Sequence, residues 1–366
     1  MLARLKFDLK DITNEILNKL PPELFESEST TFCDPFMAGG QFVKAVEERL
    51  KNCGHSDYNI SKRVFGFEEN NLRVRYAKRK LKLLSTPQVK TLEQIKKENM
   101  KFDVVLGNPP FQNGNMESGN FSLWPIFIEK AYELSDVVAM VCPQTWTSNP
   151  KDPSKSAKKT STLRRNVLSK GHLAHVNLNV GKHFPNVGST FSYFVFDKNG
   201  NPEQETSIVY SNGEEGKFVY SEVDFIPLTP VEKPICPVKF TLFNNGKELG
   251  GWRVGCKKIV ENGKYLIANT SAQYKKGEYL TSNEKHPLHG VRKVIVSNSG
   301  YSAPFYDEGE FGIGHHSRAL IVKNAEEGQK LVDFINSKEF EDYSKTKPSS
   351  GSSSTFAKNI DIFVGK

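Results

Sequence analysis

The chain has 366 residues, 37% hydrophobic and 25% charged, which fits a soluble globular protein with room for two domains and a sizeable core. No stretch has the apolar length of a membrane span, and Met1 to Asp11 mixes charged and apolar residues without a signal-peptide core. Net charge is +8, which permits a polyanionic partner without demanding one. The five cysteines, Cys33, Cys53, Cys142, Cys236 and Cys256, form no Cys-x-x-Cys pair and no zinc spacing; an odd, scattered set points to reduced thiols in a cytosolic compartment.

Ile12, Ile16, Leu17 and Leu20 recur at helical spacing, with Thr13 placed as a cap near the start and Pro21-Pro22 as the stop. Thr31 to Pro35 reads as a short strand running into Phe36-Met37-Ala38-Gly39-Gly40. A helix then carries Phe42, Val43, Val46 and Leu50 on one face. Glycines let backbone approach a ligand, and a helix start offers free N–H groups; a Gly-Gly turn also serves simply to pack a helix on a sheet. Val64 to Glu68 is a second strand ending in a carboxylate. It suits ribose hydroxyls, and equally a solvated charge at a strand end. The basic run Arg73 to Lys82, interleaved with Leu72, Tyr76, Leu83 and Leu84, reads as the solvated face of a sheet-covering helix.

Phe102 to Leu106 is a buried strand that runs into Gly107-Asn108-Pro109-Pro110-Phe111. Two prolines cannot continue the ladder, so the chain leaves the sheet at its carboxyl edge, where open α/β sheets bind ligands. The Asn108 amide oxygen, the Pro109 carbonyl and the Phe111 ring form two acceptors beside an aromatic plate, which suits a planar ring bearing an exocyclic amino group. A helix over 123–134 and a Val-rich strand from Asp136 to Cys142 follow. Strands and helices thus alternate, as in a largely parallel sheet covered on both faces.

Residues 143–165 form a long polar segment, whose part from Lys151 to Arg165 holds six basic residues and one acid. It is a candidate flap tracking phosphates, or a solvated loop. Leu173 to Val180 and Thr190 to Asp197 read as a strand pair around Gly181-Lys182-His183-Phe184-Pro185, a turn where a core role for Phe184 is unusual. Pro227, Pro230, Pro234 and Pro237 mark a linker over 226–238. Residues 239–366 then read as short strands plus one clear helix, Glu326 to Ser337. Lys347 to Thr355 is a flexible loop or a phosphate contact. Adjacent His315 and His316 lack further ligands at metal spacing.

Asp34-Pro35-Phe36-Met37-Ala38-Gly39-Gly40-Gln41-Phe42 followed by Asn108-Pro109-Pro110-Phe111 resembles the amino-group DNA methyltransferases of the gamma class, over roughly 1–225. The resemblance implies an α/β, Rossmann-like mixed sheet with helices on both faces in a catalytic domain over 1–225. It implies a smaller α+β target-recognition domain over 239–366. S-adenosylmethionine would be the cofactor, duplex DNA the partner, and adenine N6 the target. Asp34, Pro35, Phe36, Ala38, Gly39 and Gly40 would hold the methionine end, Glu68 the ribose, and Thr13 the methionine moiety. Asn108 and Pro109 would accept from the target amine, next to Pro110, and Asn108 would also contact the cofactor. Phe111 and Phe184 would stack on the two faces of the flipped base. Two departures stand out. Ala38 occupies the place of the first motif glycine, and no acidic residue among Gln88 to Glu93 matches the usual third-strand contact to the cofactor's adenine.

DNA contacts fall on Lys155, Lys158, Lys159, Arg164 and Arg165 for phosphates. Arg292, Asn298, Tyr301, His316 and Arg318 are the candidates for base edges. A separate restriction endonuclease is a possible partner, since no Pro-Asp…Glu-x-Lys nuclease cluster occurs. Two alternatives stay open: an enzyme of the same fold acting on RNA bases or a protein glutamine amide, and a non-catalytic DNA-binding subunit, which usually loses the Asn-Pro-Pro-aromatic tetrapeptide.

Overall fold

A computed structural model describes residues 10–110, 124–148, 168, 170–184, 190–223, 225–244, 252–270, 276–297, 304–346, 360, 363 and 364. The chain divides into two compact units, Met1–Pro230 and Val231–Lys366. The division falls inside the proline-marked segment 226–238.

In the first unit, helices α1 (Lys10–Leu17) and α2 (Glu23–Glu26) precede strand β1 (Phe32–Asp34). Then come α3 (Gln41–Asn52), α4 (Asp57–Arg63), β2 (Val64–Glu68), α5 (Asn71–Leu81), β3 (Gln88–Val89), α6 (Leu92–Lys97) and β4 (Phe102–Gly107). After these come α7 (Trp124–Leu134), β5 (Ser135–Pro143), β6 (His172–Asn177), β7 (Phe191–Asp197), β8 (Glu205–Val209) and β9 (Glu215–Val219). The strands form one nine-stranded sheet in the order β3-β2-β1-β4-β5-β7-β6-β8-β9. Strands β3, β2, β1, β4 and β5 run parallel, and β7 is antiparallel to both β5 and β6. The chain travels outward from β1 to β3, then crosses back to β4. The order therefore reverses between β1 and β4, and the crevice outside their carboxyl ends is where such sheets bind ligands.

Side-chain alternation explains why helices cover both faces. Cys33, Phe67, Phe102, Val105, Val138, Met140, Phe194 and Phe196 join one core with Ile95, Trp124 and Ile128 of α6 and α7. Their strand neighbours Phe32, Val104, Leu106, Ala139, Val141, Tyr193 and Val195 join the other, with Ile12 and Ile16 of α1 and Phe42, Val43, Val46 and Leu50 of α3. Successive residues of β5, β7 and the Val104–Leu106 part of β4 face opposite layers, as a pleated strand requires. Helix starts are closed locally. Ser56 accepts from Asn59 N–H, Asn70 from Leu72 and Arg73 N–H, and Thr91 with Gln94 makes a reciprocal capping box. The buried Glu47 carboxylate ties α3 to the turn after α5, accepting from Leu84 N–H at 3.1 Å, Ser85 N–H at 2.8 Å and Ser85 Oγ at 2.7 Å.

The second unit contains β10 (Thr241–Asn244), β11 (Tyr265–Ala268), β12 (Leu280–Ser282), β13 (Lys293–Ser297), β14 (Phe305–Asp307), β15 (Phe311–Ile313) and β16 (Ser317–Ile321). Helices α8 (Ala325–Asn336) and α9 (Lys338–Lys345) follow, so a second helix joins the one expected. The strands form an antiparallel sheet β10-β16-β13-β14 and a smaller sheet β12-β11-β15. Lys293 is fully buried. Its ammonium donates to the Leu288 and Val291 carbonyls at 2.9 Å and pairs with the buried Asp307. No helix among the described residues is long and apolar enough to cross a membrane.

Candidate active site

Strand β1 delivers Asp34 to the carboxyl edge of the sheet, 3% exposed. Its Oδ1 accepts from Phe36 N–H at 3.0 Å, which turns the chain away from the strand. Burial first, and the Glu68 carboxylate second, push the Asp34 carboxyl up to about 7. Asp34 also lies against the last residue of β4: a Cβ on Gly107 would stand 2.7 Å from Asp34 Oδ1, so only glycine fits there.

The turn after Asp34 is pinned to β2 by Met37 N–H donating to the Phe67 carbonyl at 2.9 Å. Phe36 packs edge-on against Phe127 at 4.7 Å, and Pro35 is buried. Ala38 has φ +48°, a left-handed conformation that favours glycine, so its Cβ is held there at a cost of about 1 kcal/mol or more. Gly40 has φ +83° and a Cβ on it would meet Ala77 Cβ at 3.2 Å. The start of α3 has no side-chain cap hydrogen bond, which leaves its first N–H groups without a side-chain acceptor.

Glu68 ends β2 and is 9% exposed; its Oε1 accepts from Asn70 N–H at 3.1 Å and pairs with Arg73 at 3.3 Å. Thus two buried carboxylates, Asp34 and Glu68, face one crevice beside an uncapped helix start. Thr13 is fully buried in α1.

Strand β4 ends at Gly107, and Asn108 stands at the switch point, partly exposed. Its Oδ1 is buried and accepts no hydrogen bond. Pro109 is buried and Pro110 exposed; Phe111 lies outside the described residues. The neighbouring strand β5 runs on into a 3-10 turn, Gln144–Ser148, inside the segment read as a loop. Gln144 is 4% exposed, and its Nε2 is a second buried group without a partner. Sequence reasoning passed over it, because a single glutamine after a proline has no pattern to mark it.

The turn after β6 brings its residues to the same edge. Lys182 and His183 contact Glu15 of α1 at 2.8 and 3.2 Å. Phe184 is 4% exposed and its ring lies 4.5 Å from that of Phe191, within the core that also holds Ile12, Ile16 and Tyr193. The expectation that a core role is unusual here is corrected: α1 folds over the turn and buries the ring.

In the second unit the recognition candidates differ in availability. Arg292 is exposed but pairs with Glu308 at 2.9 Å and donates to the Lys323 carbonyl at 3.4 Å. Arg318 is 8% exposed on β16. His316 is exposed, with its ring edge-on to His315 at 5.2 Å. Asn298, Tyr301, Lys155, Lys158, Lys159, Arg164 and Arg165 lie outside the described residues. Among the described residues no group of three or more His, Cys, Asp or Glu could hold a metal ion.

A family model described as Eco57I restriction-modification methylase matches residues 44–177, which run from α3 through β6 and contain Glu68, Asn108 and Gln144. No curated protein matches the chain. Among solved structures, the M protein of the type I restriction enzyme EcoKI is 18% identical over 53% of this chain and 47% of its own, with a TM-score of 0.42. A modification subunit of a putative type I restriction enzyme from Vibrio vulnificus YJ016 is 15% identical over 57% and 47%, at 0.42. The type IIG restriction endonuclease BpuSI is 12% identical over 90% and 55%, at 0.47. The chain spans about half the length of these proteins.

Proposed function

We propose that this chain is a DNA methyltransferase of a restriction-modification system, using S-adenosylmethionine to methylate N6 of an adenine extruded from duplex DNA. The observation that carries the reading is the Asn108 side-chain oxygen, buried and unpartnered at the switch point of the sheet. An unpaired buried acceptor costs free energy unless a ligand donor satisfies it. The match over residues 44–177 supports the same reading.

The crevice fits the cofactor. Two buried carboxylates repel each other there, and a cationic ligand beside them relieves that repulsion. Asp34 and the backbone from Ala38 to Gly40 would hold the methionine end, with Glu68 on the ribose. S-adenosylmethionine supplies an electrophilic methyl group on a sulfonium. The chain's own task is the nucleophile. An adenine amine is a poor one, because its lone pair is delocalised into the ring. Asn108 Oδ1 and the Pro109 carbonyl accept its two N–H bonds and favour the tetrahedral nitrogen. That interaction strengthens toward the transition state. Phe111 offers a stacking face to the base. Extrusion costs roughly a few kcal/mol, which base stacking and phosphate contacts from Lys155, Lys158, Lys159, Arg164 and Arg165 offset. Base reading by the second unit centres on His316, with Asn298 and Tyr301. A separate endonuclease would cleave DNA lacking the mark.

Methylation-sensitive sequencing of DNA from cells expressing the full chain tests this reading. N6-methyladenine at one defined sequence is expected. Incorporation of labelled methyl only into RNA, protein or cytosine would replace the substrate assignment, and none into any acceptor would end it.

Three further expectations concern Asp34. Its folded value of about 7 lies above the ordinary 3.8, so below pH 7 it holds a proton. A cationic ligand favours the ionised form. Affinity for S-adenosylmethionine should therefore rise with pH, by up to about tenfold per unit below that value, and level off above it. By the same linkage, Asp34 in the free protein costs stability as pH rises from 3.8 to about 7. Calorimetric titrations across this window check the sign, and a flat profile refutes it. Gly107→Ala should push the Asp34 carboxylate from its place, since the added Cβ would meet Oδ1 at 2.7 Å. We expect about a tenfold loss of cofactor affinity; wild-type binding by the variant would show that Asp34 does not contact the ligand.

A further inference from the structure

The Asn108 acceptor is matched by a buried donor in the turn that follows the neighbouring strand β5. Gln144 is 4% exposed, yet its Nε2 has no hydrogen-bond partner. Its position is held from several sides. Gln144 N–H donates to the Thr190 carbonyl at 3.0 Å, and its carbonyl accepts from Thr147 Oγ1 at 2.8 Å. Trp146 Nε1 donates to Ser192 Oγ at 2.9 Å, and Ile226 N–H to the Thr147 carbonyl at 3.0 Å. A backbone so fully tied does not leave an amide stranded by looseness of the turn. Buried donors without partners are rare and call for a specific explanation.

Placement supplies one. Gly107 pairs with Met140 in the sheet, and Gln144 opens the turn that follows the end of β5 at Pro143. With Asn108 one residue past Gly107, the offset along the strands is roughly 10 Å, and neighbouring strands stand about 4.8 Å apart. An asparagine side chain, a glutamine side chain and one planar base between them can fill that span.

We propose that Gln144 is a specificity-determining residue for the target base, donating from Nε2 to the ring nitrogen beside the amino group that Asn108 accepts. This rests on the base-methylating reading above. An amino-bearing base edge presents a donor flanked by an acceptor: N6 with N1 or N7 in adenine, N4 with N3 in cytosine. Asn108 and Gln144 present the complementary acceptor and donor. On the Watson–Crick edge guanine and thymine reverse that polarity, with a carbonyl beside an N–H, and would set oxygen against oxygen and N–H against N–H; on the N7 edge guanine would set its O6 against the Asn108 oxygen. Either way at least one buried pair is unmatched. The pair therefore selects amino bases over oxo bases before any methyl transfer occurs.

The test uses the full chain and a duplex carrying the sequence it methylates. The target adenine is normal, 1-deaza or 7-deaza, and kcat/KM is read from labelled methyl incorporation. For the wild type, one of the two deaza bases should lower kcat/KM about tenfold or more, identifying the nitrogen that is read. Gln144→Met should lower kcat/KM on normal adenine by a similar factor, bind S-adenosylhomocysteine as wild type does, and be insensitive to the same deaza change. Equal turnover by Gln144→Met, or an undiminished deaza effect in that variant, overturns the proposal. If Gln144→Met does not fold, the wild-type series decides: sensitivity to a single ring nitrogen supports the contact, and indifference to both deaza bases refutes it. A wild type that methylates no nucleobase at all would instead defeat the underlying reading, an outcome distinguishable from failure at Gln144.

Discussion

Asn108→Ala lowers methyl transfer by about 10² to 10³-fold or more, while S-adenosylmethionine binding stays near that of the wild type. The magnitude follows other single hydrogen-bonding groups aimed at a developing charge. Asn108 Oδ1 is buried and unpaired, so no rearrangement is needed to meet an incoming amine. In the proposed mechanism its contribution would be realised as the nitrogen becomes tetrahedral, which places the expected loss in kcat more than in KM. Asp34 and Glu68, the carboxylates proposed to hold the cofactor, come from other strands, so truncating Asn108 leaves them in place. Asn108→Asp is a sharper variant. It keeps an acceptor oxygen and should retain more activity than Asn108→Ala. Single-turnover methylation with an independent titration of the cofactor separates the two effects. Near-normal turnover by the alanine variant would remove Asn108 from the chemistry.

Phe184→Ala costs about 3–5 kcal/mol of stability in the first unit, the usual range for emptying a buried phenylalanine site. The ring is 4% exposed and packs tilted against Phe191 at 4.5 Å, in a core with residues of α1 and α3. Lys182 and His183, immediately before it, are fastened to Glu15 of α1, so the site cannot collapse without moving that helix. Phe184→Leu should recover much of the loss, because volume and apolarity matter more here than a flat face. Urea titration gives the difference directly. A change below about 1 kcal/mol for the alanine variant would mean that the ring is free to leave the core. Base stacking by Phe184 would then regain its force.

The two results mark how far local pattern reaches. The Phe102–Leu106 run, its ending in Asn108-Pro109-Pro110, and the Asp34 turn were all legible in the chain. Each is a short-range constraint. Apolar runs make strands, prolines end them, and glycines permit a left-handed turn. Adjacent strands in a parallel sheet then bring such endings to one edge whatever the loops between them do. The same logic explains the misses. Strands β8 and β9 go beyond the expectation: they pair as a local hairpin across the Asn212-Gly213 turn, a signal present in the sequence, although the Glu-Thr-Ser-Ile-Val and Glu-Gly-Lys-Phe-Val patterns are each only five residues long. Helix α9 has an amphipathic pattern only eight residues long.

The fate of Phe184, Arg292, Arg318 and Gln144 depended on distant partners: Phe191 and α1, Glu308, the four-stranded sheet, and the segment at Thr190. Residue type and spacing establish which chemistry a chain can carry, since nucleophile activation and cofactor charge call for particular groups at strand ends. Whether a given ring or amide is spent on packing or left unpaired for a ligand is decided only when non-local elements close over it. Burial and hydrogen-bond satisfaction belong to the whole fold and to no segment of the sequence.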